Sequence, residues 1–380
     1  GWGFEGEAFT PSPQLLAWLE DRIGPPQHPV PEGPIIPPDL PARPLPETNV
    51  EPAVDPVDRL AHARGQGLVD VLRLRTGRVP ALPDAVVRPA GADDVADVLA
   101  ACARSGIRVI PWGGGTSVTG GVNVVAGDTP VVSLDLERMA GVRGLDEVSG
   151  LATVGPGTAG PRLETELAVH GLTLGHFPQS WELATVGGWV ATRSSGQESL
   201  GYGRIEDMVA GLELLAPRDR LRLPAQPASA AGPDLRQLVM GSEGRLGVIT
   251  EVTLRVRPRP SEVGVEAALL PDLGRGLDAV RELTRSGLPL TMLRLSDPPE
   301  TQVAMAVGLA SSRFGGLARA WLRLRGVGDD ACLLLVGSAG DAFAVGETLA
   351  AARSVARGHG AVGLGQRPGE HRTRDRFRHP

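Results

Sequence analysis

"PWGGGTSVTGG", residues 111–121, places five glycines in eleven positions. The stretch directly follows "GIRVI", an apolar run typical of a buried strand. Glycine inside a strand or helix costs about 0.5–1 kcal/mol relative to alanine, so such a cluster indicates close approach of the backbone to another group. Bare N–H groups suit an anionic phosphate, and Thr116 and Ser117 add hydroxyl donors. We therefore predict a phosphate-binding loop at residues 113–117.

The sequence contains no lysine, so its 38 lysine-plus-arginine residues are all arginines. This excludes a Schiff-base lysine of the kind that pyridoxal phosphate enzymes and aldolases use. It also excludes a Walker A loop, because the lysine of that loop reaches the phosphates. We expect the loop at 113–117 to hold its ligand through backbone N–H groups and hydroxyls.

Length and composition limit the fold and the partners. With 380 residues, of which 42% are hydrophobic, the chain is long enough for two or three domains with cores. The formal net charge of −6 gives no reason to expect nucleic acid as a partner. No apolar run reaches about 18 residues, so we expect no transmembrane helix. We also expect no metal site. The two cysteines, Cys102 and Cys332, lie far apart and indicate reduced thiols of a cytoplasmic protein.

The order of hydrophobic patterns predicts alternating helices and strands. We expect the proline-rich stretch 24–56 to be extended over a surface or disordered, and we expect residues 55–77 to be helical. The pattern of residues 91–106 predicts a helix with strands on both sides, which is typical of an α/β unit. One face of that helix carries Val95, Val98, Leu99 and Cys102.

A second glycine motif, "GPGTAG" at residues 155–160, fits the dinucleotide-binding fingerprint. A Rossmann site also needs an acidic residue about 20 positions further on. That window reads "GLTLGHFPQS" and has none, so we predict a plain turn leading into the helix of Leu163 and Leu167. Prolines 258 and 260 mark a boundary, beyond which strands and helices alternate again.

Three glycine-rich segments occur in order: residues 111–121, 178–196 ("PQSWELATVGGWVATRSSG") and 241–250 ("GSEGRLGVIT"). This set resembles the FAD-binding domain of the vanillyl-alcohol oxidase type. The opening "GWG", together with "GHFPQS", "YGRIEDMV" and "MGSEGRLGVITE", narrows the resemblance to alkyldihydroxyacetonephosphate synthase-like flavoproteins and extends it over essentially the whole chain. It implies an α+β fold, with a two-subdomain FAD-binding domain and an incomplete α+β cap domain.

The resemblance implies three regions and a non-covalently bound FAD. Residues 1–80 would form a proline-rich extended segment and a helix, 81–258 the FAD-binding domain and 259–380 a partial C-terminal cap. The cofactor's pyrophosphate would lie on residues 113–117. By resemblance the FAD-binding residues are Pro111, Gly113, Gly114, Gly115, Thr116, Ser117, Val118, Gln179, Ser180, Trp181, Glu182, Leu183, Ala184, Thr185, Gly187, Gly188, Thr192, Arg193, Ser194, Ser195, Glu243, Gly244, Arg245, Leu246, Gly247, Val248 and Ile249.

Two single residues are candidates for roles near the flavin. On a strand, Met292, Arg294 and Ser296 share one face, while the leucines between them can face the helices of the small domain. We predict that Arg294 faces the flavin cleft, where its planar guanidinium suits a phosphate or carboxylate, and the matching arginine of the family is implicated in substrate binding. His176 is not a flavin tether, because the family's FAD is non-covalent; an active-site role and a core or hydrogen-bonding role stay open for it.

The family reaction implied by the resemblance exchanges the acyl chain of acyl-dihydroxyacetone phosphate for a long-chain alcohol, through an adduct at flavin N5, in ether lipid synthesis. One alternative is an FAD-dependent 2-hydroxy-acid dehydrogenase or oxidase of the lactate or glycolate type, whose substrate carboxylate could equally use Arg294. Another alternative is an inactive, truncated flavin-binding protein. Two further interactions stay open: peripheral contact with a membrane that holds the lipid substrate, and pairing of two copies of the chain in a homodimer.

The family's cap supplies a catalytic tyrosine and a histidine-rich segment that this sequence lacks. Its one tyrosine, Tyr202, lies inside the flavin-domain motif, and His371 and His379 form no cluster. The resemblance thus implies that the cap is incomplete, and we expect little synthase activity from these 380 residues alone.

Overall fold

A computed structural model of the chain describes residues 11, 13–27, 35–227, 230–310 and 321–365. The opening "GWG" and both His371 and His379 lie outside these residues. The chain divides into two compact units. The first comprises mainly residues 30–196 and 203–259, and the second comprises residues 4–29, 197–202 and 260–380.

The described residues form helices and strands in the alternation expected of an α+β protein. In chain order the helices are α1 (Pro13–Ile23), α2 (Pro56–Ala61), α3 (Leu68–Arg75), α4 (Ala92–Arg104), α5 (Gly160–Ala168), α6 (Val186–Thr192), α7 (Ser199–Tyr202), α8 (Ile205–Met208), α9 (Arg236–Val239), α10 (Leu273–Arg285), α11 (Pro298–Ala310) and α12 (Ala342–Gly358). The strands are β1 (Ala85–Val87), β2 (Arg108–Trp112), β3 (Val131–Asp135), β4 (Val142–Asp146), β5 (Leu151–Val154), β6 (Leu172–Thr173), β7 (Val209–Leu215), β8 (Arg220–Leu223), β9 (Val248–Arg255), β10 (Arg257–Pro258), β11 (Glu262–Leu270), β12 (Leu290–Leu295), β13 (Cys332–Gly340) and β14 (Val362–Gly365).

A parallel three-stranded sheet of order β1-β3-β2 begins the first unit. Helix α4 buries the predicted face of Val95, Val98, Leu99 and Cys102 in the same core as β3, so the prediction of this helix is confirmed. Because parallel strands end at the same edge of a sheet, the carboxyl ends of β2 and β3 lie side by side, and the N–H of Leu136 donates to the carbonyl of Trp112. In open α/β sheets that edge is the usual place for a ligand.

The first unit also contains a five-stranded sheet of order β4-β5-β9-β7-β8 in which neighbouring strands are antiparallel. Residues 155–160 form a turn into α5, whose Leu163 and Leu167 are fully buried, which confirms the prediction of a plain turn. A Cβ on Gly157 would lie 1.9 Å from the carbonyl oxygen of Leu136. This glycine therefore allows the turn to pack directly against the chain that leaves β3.

The prediction of one helix over residues 55–77 is wrong, because α2 and α3 are separated by residues 62–67. This connection packs against the glycine-rich segment. The N–H of Gln66 donates to the carbonyl of Ser117 at 2.7 Å, and a Cβ on Gly65 would come within 2.1 Å of the same oxygen. Such close backbone contact with residues 117–123 interrupts the helix that the local pattern favours.

A four-stranded antiparallel sheet of order β12-β13-β11-β14 forms the second unit. Leu293 and Leu295 pack into a core with residues of α10 and α12, while Met292, on the opposite face of β12, packs with residues of α11. The alternation predicted for this strand is therefore confirmed.

Each unit contains one buried cysteine with a free thiol, Cys102 in α4 and Cys332 in β13. Within the ranges that the structure describes, no helix combines the length and the apolar character needed to cross a membrane.

Candidate functional site

A cavity of about 300 Å³ lies in the first unit, where the three glycine-rich segments converge at the carboxyl ends of β2 and β3. The cavity is lined by Pro111, Trp112, Gly113, Gly114, Gly115, Thr116, Ser117, Val118, Thr119, Gly121, Val122, Leu136, Ser180, Ala184, Thr185, Gly187, Gly188, Trp189, Ala191, Thr192, Ser194, Ser242, Glu243, Gly244, Gly247 and Ile249.

The three glycines at 113–115 present backbone to this cavity because protein atoms occupy the space on their other side. A Cβ on Gly113 would lie 2.3 Å from Thr185 Oγ1, and one on Gly114 would lie 1.8 Å from the carbonyl oxygen of Leu183. Gly115 has φ +66°, and its Cβ would meet the indole of Trp112 at 2.5 Å. Side chains are therefore excluded here by packing, and this leaves peptide groups as the wall of the cavity.

Unused hydrogen-bond donors collect along this wall. In the described part of the chain, the backbone N–H groups of residues 113–117 donate to no protein acceptor. Hydroxyl groups of eight lining residues surround them, and the one ionisable side chain among the described lining residues is that of Glu243. A site with many donors and no cation suits an anion held by N–H and O–H groups, as the absence of lysine predicts.

Most of the residues predicted to bind the cofactor line this cavity. The predicted residues outside its lining are Gln179, Trp181, Glu182, Leu183, Arg193, Ser195, Arg245, Leu246 and Val248. Two of these support the wall, since Leu183 packs on Gly114 through its carbonyl and Val248 is buried in the core beside β3. The contact of each predicted residue with a cofactor stays a prediction.

Arg193 and Glu243 tie two of the segments together, and both hold a left-handed backbone conformation with φ 51°, rare outside glycine. Arg193 ends α6, and its guanidinium donates to the carbonyls of Gln237 at 2.6 Å and Met240 at 2.9 Å. The N–H of Glu243 donates to the carbonyl of Ala191 at 2.9 Å. These bonds fix residues 237–243 against α6 and hold the Glu243 carboxylate beside Gly121.

His176 lies directly behind the cavity wall. It is 1% exposed, and its Nε2 is 2.6 Å from Oγ of Ser194, a lining residue. Its Nδ1 is buried and has no partner in the described chain, and its ring packs against the indole of Trp189 in a T-shaped arrangement with the centroids 5.0 Å apart. Burial lowers the pKa of His176 to about 4, so the imidazole is neutral at physiological pH. His176 is thus buried and hydrogen-bonded to Ser194, and an active-site role for it stays a prediction.

Several lining residues escaped the sequence prediction. Trp112, Thr119 and Ser242 are next to predicted residues, and Gly121 lies in the glycine-rich segment 111–121, so the motifs themselves are the signal that could have found them. Val122 directly follows that segment. Trp189 and Ala191 lie in α6 among predicted residues. Leu136 carries no local signal, because it reaches the cavity only through the pairing of β3 with β2.

Arg294 lies on β12 in the second unit, where its guanidinium pairs with the carboxylate of Glu300 at the start of α11. Its side chain is 38% exposed. An anion bound there would compete with Glu300 for the guanidinium, and the substrate role of Arg294 stays a prediction.

Two protein-family models match the chain, the FAD binding domain over residues 83–222 and the C-terminal domain of the FAD linked oxidases over residues 259–378. The chain belongs to the FAD-linked oxidases. This FAD-linked oxidase is 33% identical over 322 residues to alkyldihydroxyacetonephosphate synthase of Dictyostelium discoideum, an alignment that covers 83% of this chain and 53% of that protein.

A solved structure of an alkyldihydroxyacetonephosphate synthase superposes on this FAD-linked oxidase with a TM-score of 0.82 and 28% identity, covering 97% of this chain and 70% of that one. The mitochondrial D-lactate dehydrogenase [cytochrome] of Arabidopsis thaliana is 32% identical over 234 residues, which cover 61% of this chain and 40% of that protein. The chain spans about half the length of the curated synthases that it matches.

The family membership and the cavity agree with each other. FAD is the cofactor of this FAD-linked oxidase. Its homologues are enzymes, which supports the interpretation of this chain as an enzyme. The unpartnered N–H groups at 113–117 and the surrounding hydroxyls are donors of the kind that a pyrophosphate requires. The residues that line the cavity are therefore suited to bind FAD.

Proposed function

We propose that this chain binds FAD in the first unit and forms part of an alkyldihydroxyacetonephosphate synthase. In the reaction, the acyl chain of acyl-dihydroxyacetone phosphate would be exchanged for a long-chain alcohol, giving a precursor of ether lipids. The observation that carries this proposal is the extent of the similarity. The three synthases match 83%, 67% and 69% of the chain in sequence, and one solved synthase structure matches 97% of it, against 61% for the D-lactate dehydrogenase.

The residues discussed above would have distinct tasks. When bound, FAD supplies the centre that holds the substrate carbon during the exchange. The N–H groups of residues 113–117 would bind its pyrophosphate without any cation. Ser194, held by His176, would offer a hydroxyl of fixed direction. Arg294 would bind the substrate phosphate after releasing Glu300.

Because we expect little synthase activity from these 380 residues alone, the test uses the chain extended by the C-terminal segment of a matched synthase. This protein is supplied with FAD, acyl-dihydroxyacetone phosphate and an isotope-labelled long-chain alcohol. A synthase releases free fatty acid and forms the labelled ether, with no net consumption of an electron acceptor. If FAD binds but neither product forms, while D-lactate or glycolate reduces the flavin, the synthase assignment is wrong.

A second candidate function is that of an FAD-dependent 2-hydroxy-acid dehydrogenase. The identity with the D-lactate dehydrogenase favours it, and Arg294 would serve a carboxylate as well as a phosphate. Flavin bleaching by D-lactate or glycolate, with electrons passed to an added dye, would support it. An inactive flavin-binding protein would bind FAD and give neither result.

A cytoplasmic location is part of our proposal and rests on the two free thiols.

A further inference from the structure

A buried histidine outside the cavity faces hydrogen-bond acceptors with both of its ring nitrogens. His62, 7% exposed, places Nδ1 2.8 Å from the carbonyl oxygen of Asp58 and Nε2 2.9 Å from Oδ2 of Asp135. A carbonyl and a carboxylate only accept, so both ring nitrogens must carry a proton to complete the two bonds. The geometry therefore requires an imidazolium.

The charged groups around His62 favour its cationic form. The Asp58 carboxylate lies 3.3 Å from Nδ1, and Arg88 binds Asp58 at 2.7 Å and lies 3.7 Å from Asp135. Glu137, in turn, binds Arg88 at 2.7 Å. Burial by itself lowers the pKa of His62, but the bonds to Asp135 and Asp58 and the charges of both carboxylates outweigh it, so the pKa is raised above 6.5.

His62 is linked to the cavity through one aromatic ring. Its ring centroid lies 5.0 Å from that of Trp112, which lines the cavity. The same indole lies where a Cβ on Gly115 would stand, and it thereby supports the glycine-rich wall. Asp135, the partner of His62, directly precedes the lining residue Leu136. The imidazolium thus joins α2 to the end of β3, behind the phosphate-binding loop.

We propose that the imidazolium of His62 is a positioning group for Trp112 and the loop at 113–117, so that binding of FAD is linked to one proton held outside the cavity. The proposal rests on the FAD site proposed above, and it does not depend on the identity of the substrate. When His62 loses its proton, one ring nitrogen faces an acceptor with a lone pair, and the support behind Trp112 weakens. The affinity for FAD should then fall as the pH rises.

The first experiment measures the dissociation constant of FAD between pH 6 and pH 9 by flavin fluorescence. The unmodified protein should bind more weakly as the pH rises, by up to about tenfold per pH unit for one linked proton. His62→Gln, which cannot become a cation, should bind more weakly at pH 6 and show a flat profile. His170→Gln is the matched control, because His170 is half exposed and pairs only with Glu147 among described residues; it should keep the original profile. His176, with a pKa of about 4, titrates outside this range.

A second measurement needs no variant. By linkage, if the proton strengthens FAD binding, FAD must raise the pKa of His62, which NMR of histidine labelled with carbon-13 in its ring can follow. An unchanged pKa, a flat profile in the unmodified protein or an unaltered slope in His62→Gln overturns the inference and leaves the FAD site standing. Absence of FAD binding at every pH, in the unmodified protein and in His170→Gln alike, overturns the FAD site and this inference with it.

Discussion

At the scale of single residues, the glycines of the cavity wall are required by the protein as much as by its ligand. The sequence alone suggests that a side chain at 114 would enter the space of the phosphate oxygens. The structure corrects the reason, because the Cβ of any larger residue would meet the Leu183 carbonyl at 1.8 Å. Sequence could identify the loop but not this contact, because Leu183 belongs to another glycine-rich segment.

Gly114→Val should therefore displace residues 180–184 and abolish FAD binding. The expected result is colourless protein after purification and reconstitution, with a lower midpoint of thermal unfolding. Gly91→Ala is the control, since a Cβ there meets nothing within 4 Å, and it should remain fully loaded. A yellow Gly114→Val protein at full occupancy would show that the loop is assigned wrongly.

The buried imidazole of His176 should make stability depend on pH. Its pKa is about 4 in the folded chain and 6.5 as an ordinary value, so the unfolded chain binds more protons between these limits. Stability should consequently fall by about 3 kcal/mol as the pH drops from 6.5 to 4. The free energy of unfolding, measured with urea at each pH, should fall less steeply between pH 6.5 and pH 4 in His176→Gln than in the unmodified protein. An equal dependence on pH in both proteins would contradict the burial of a neutral ring.

Arg294→Ala should weaken substrate binding and leave the FAD content unchanged. Losing a charge-assisted contact to an anion costs about 1.5–3 kcal/mol, or roughly tenfold to a hundredfold in affinity. Calorimetry with acyl-dihydroxyacetone phosphate measures the change. Arg281→Ala is a suitable control, because this exposed arginine pairs with Asp278 on α10. Equal affinity in Arg294→Ala and the unmodified protein would confine Arg294 to its ion pair with Glu300.

At the scale of elements, local patterns predict those helices and strands whose packing agrees with them. Helix α4 has acidic residues in its first turn and one apolar face, so its local sequence pattern was sufficient to predict it. The broken helix at 62–67 could not be predicted, because its cause is a contact with Ser117, about fifty positions away. Leu136 entered the cavity for the same kind of reason, through strand pairing.

One carboxylate joins three strands of the five-stranded sheet. Glu213 on β7 accepts hydrogen bonds from Arg220 and Arg222 on β8 and from Thr250 on β9, each at 2.8 Å. Burial alone would raise the pKa of Glu213, but these bonds lower it to about 2. Because the folded pKa lies below 4.5, its contribution is present above that pH and is lost as the pH falls toward 2.

Glu213→Gln should destabilise the chain by about 1–2 kcal/mol at pH 7, at the low end for a buried pair because both arginines are partly exposed. The difference from the unmodified protein should shrink as the pH approaches 2. Urea unfolding provides the measurement, with Glu262→Gln at an exposed position of β11 as the control. A constant difference at all pH values would show that the carboxylate charge is not involved.

At the scale of the whole molecule, FAD should leave a local imprint on hydrogen exchange. The amides of residues 113–117 donate to no described acceptor, so they should exchange within seconds in the free protein. Bound pyrophosphate should slow them by at least tenfold. The edge strand β4 does not line the cavity, and it serves as the internal reference. Mass spectrometry with and without FAD makes the comparison, and unchanged exchange at 113–117 would move the pyrophosphate elsewhere.

The two buried cysteines make it possible to measure how often each unit opens. Cys102 is 3% exposed in the first unit and Cys332 is 0% exposed in the second, and burial raises the pKa of both thiols. A thiol reagent can therefore react with either one only while the surrounding unit is open. Labelling rates at the two sites, separated by peptide mass, report how often each unit opens under native conditions. Added FAD should slow labelling at Cys102, because ligand bound to the folded unit reduces its open fraction.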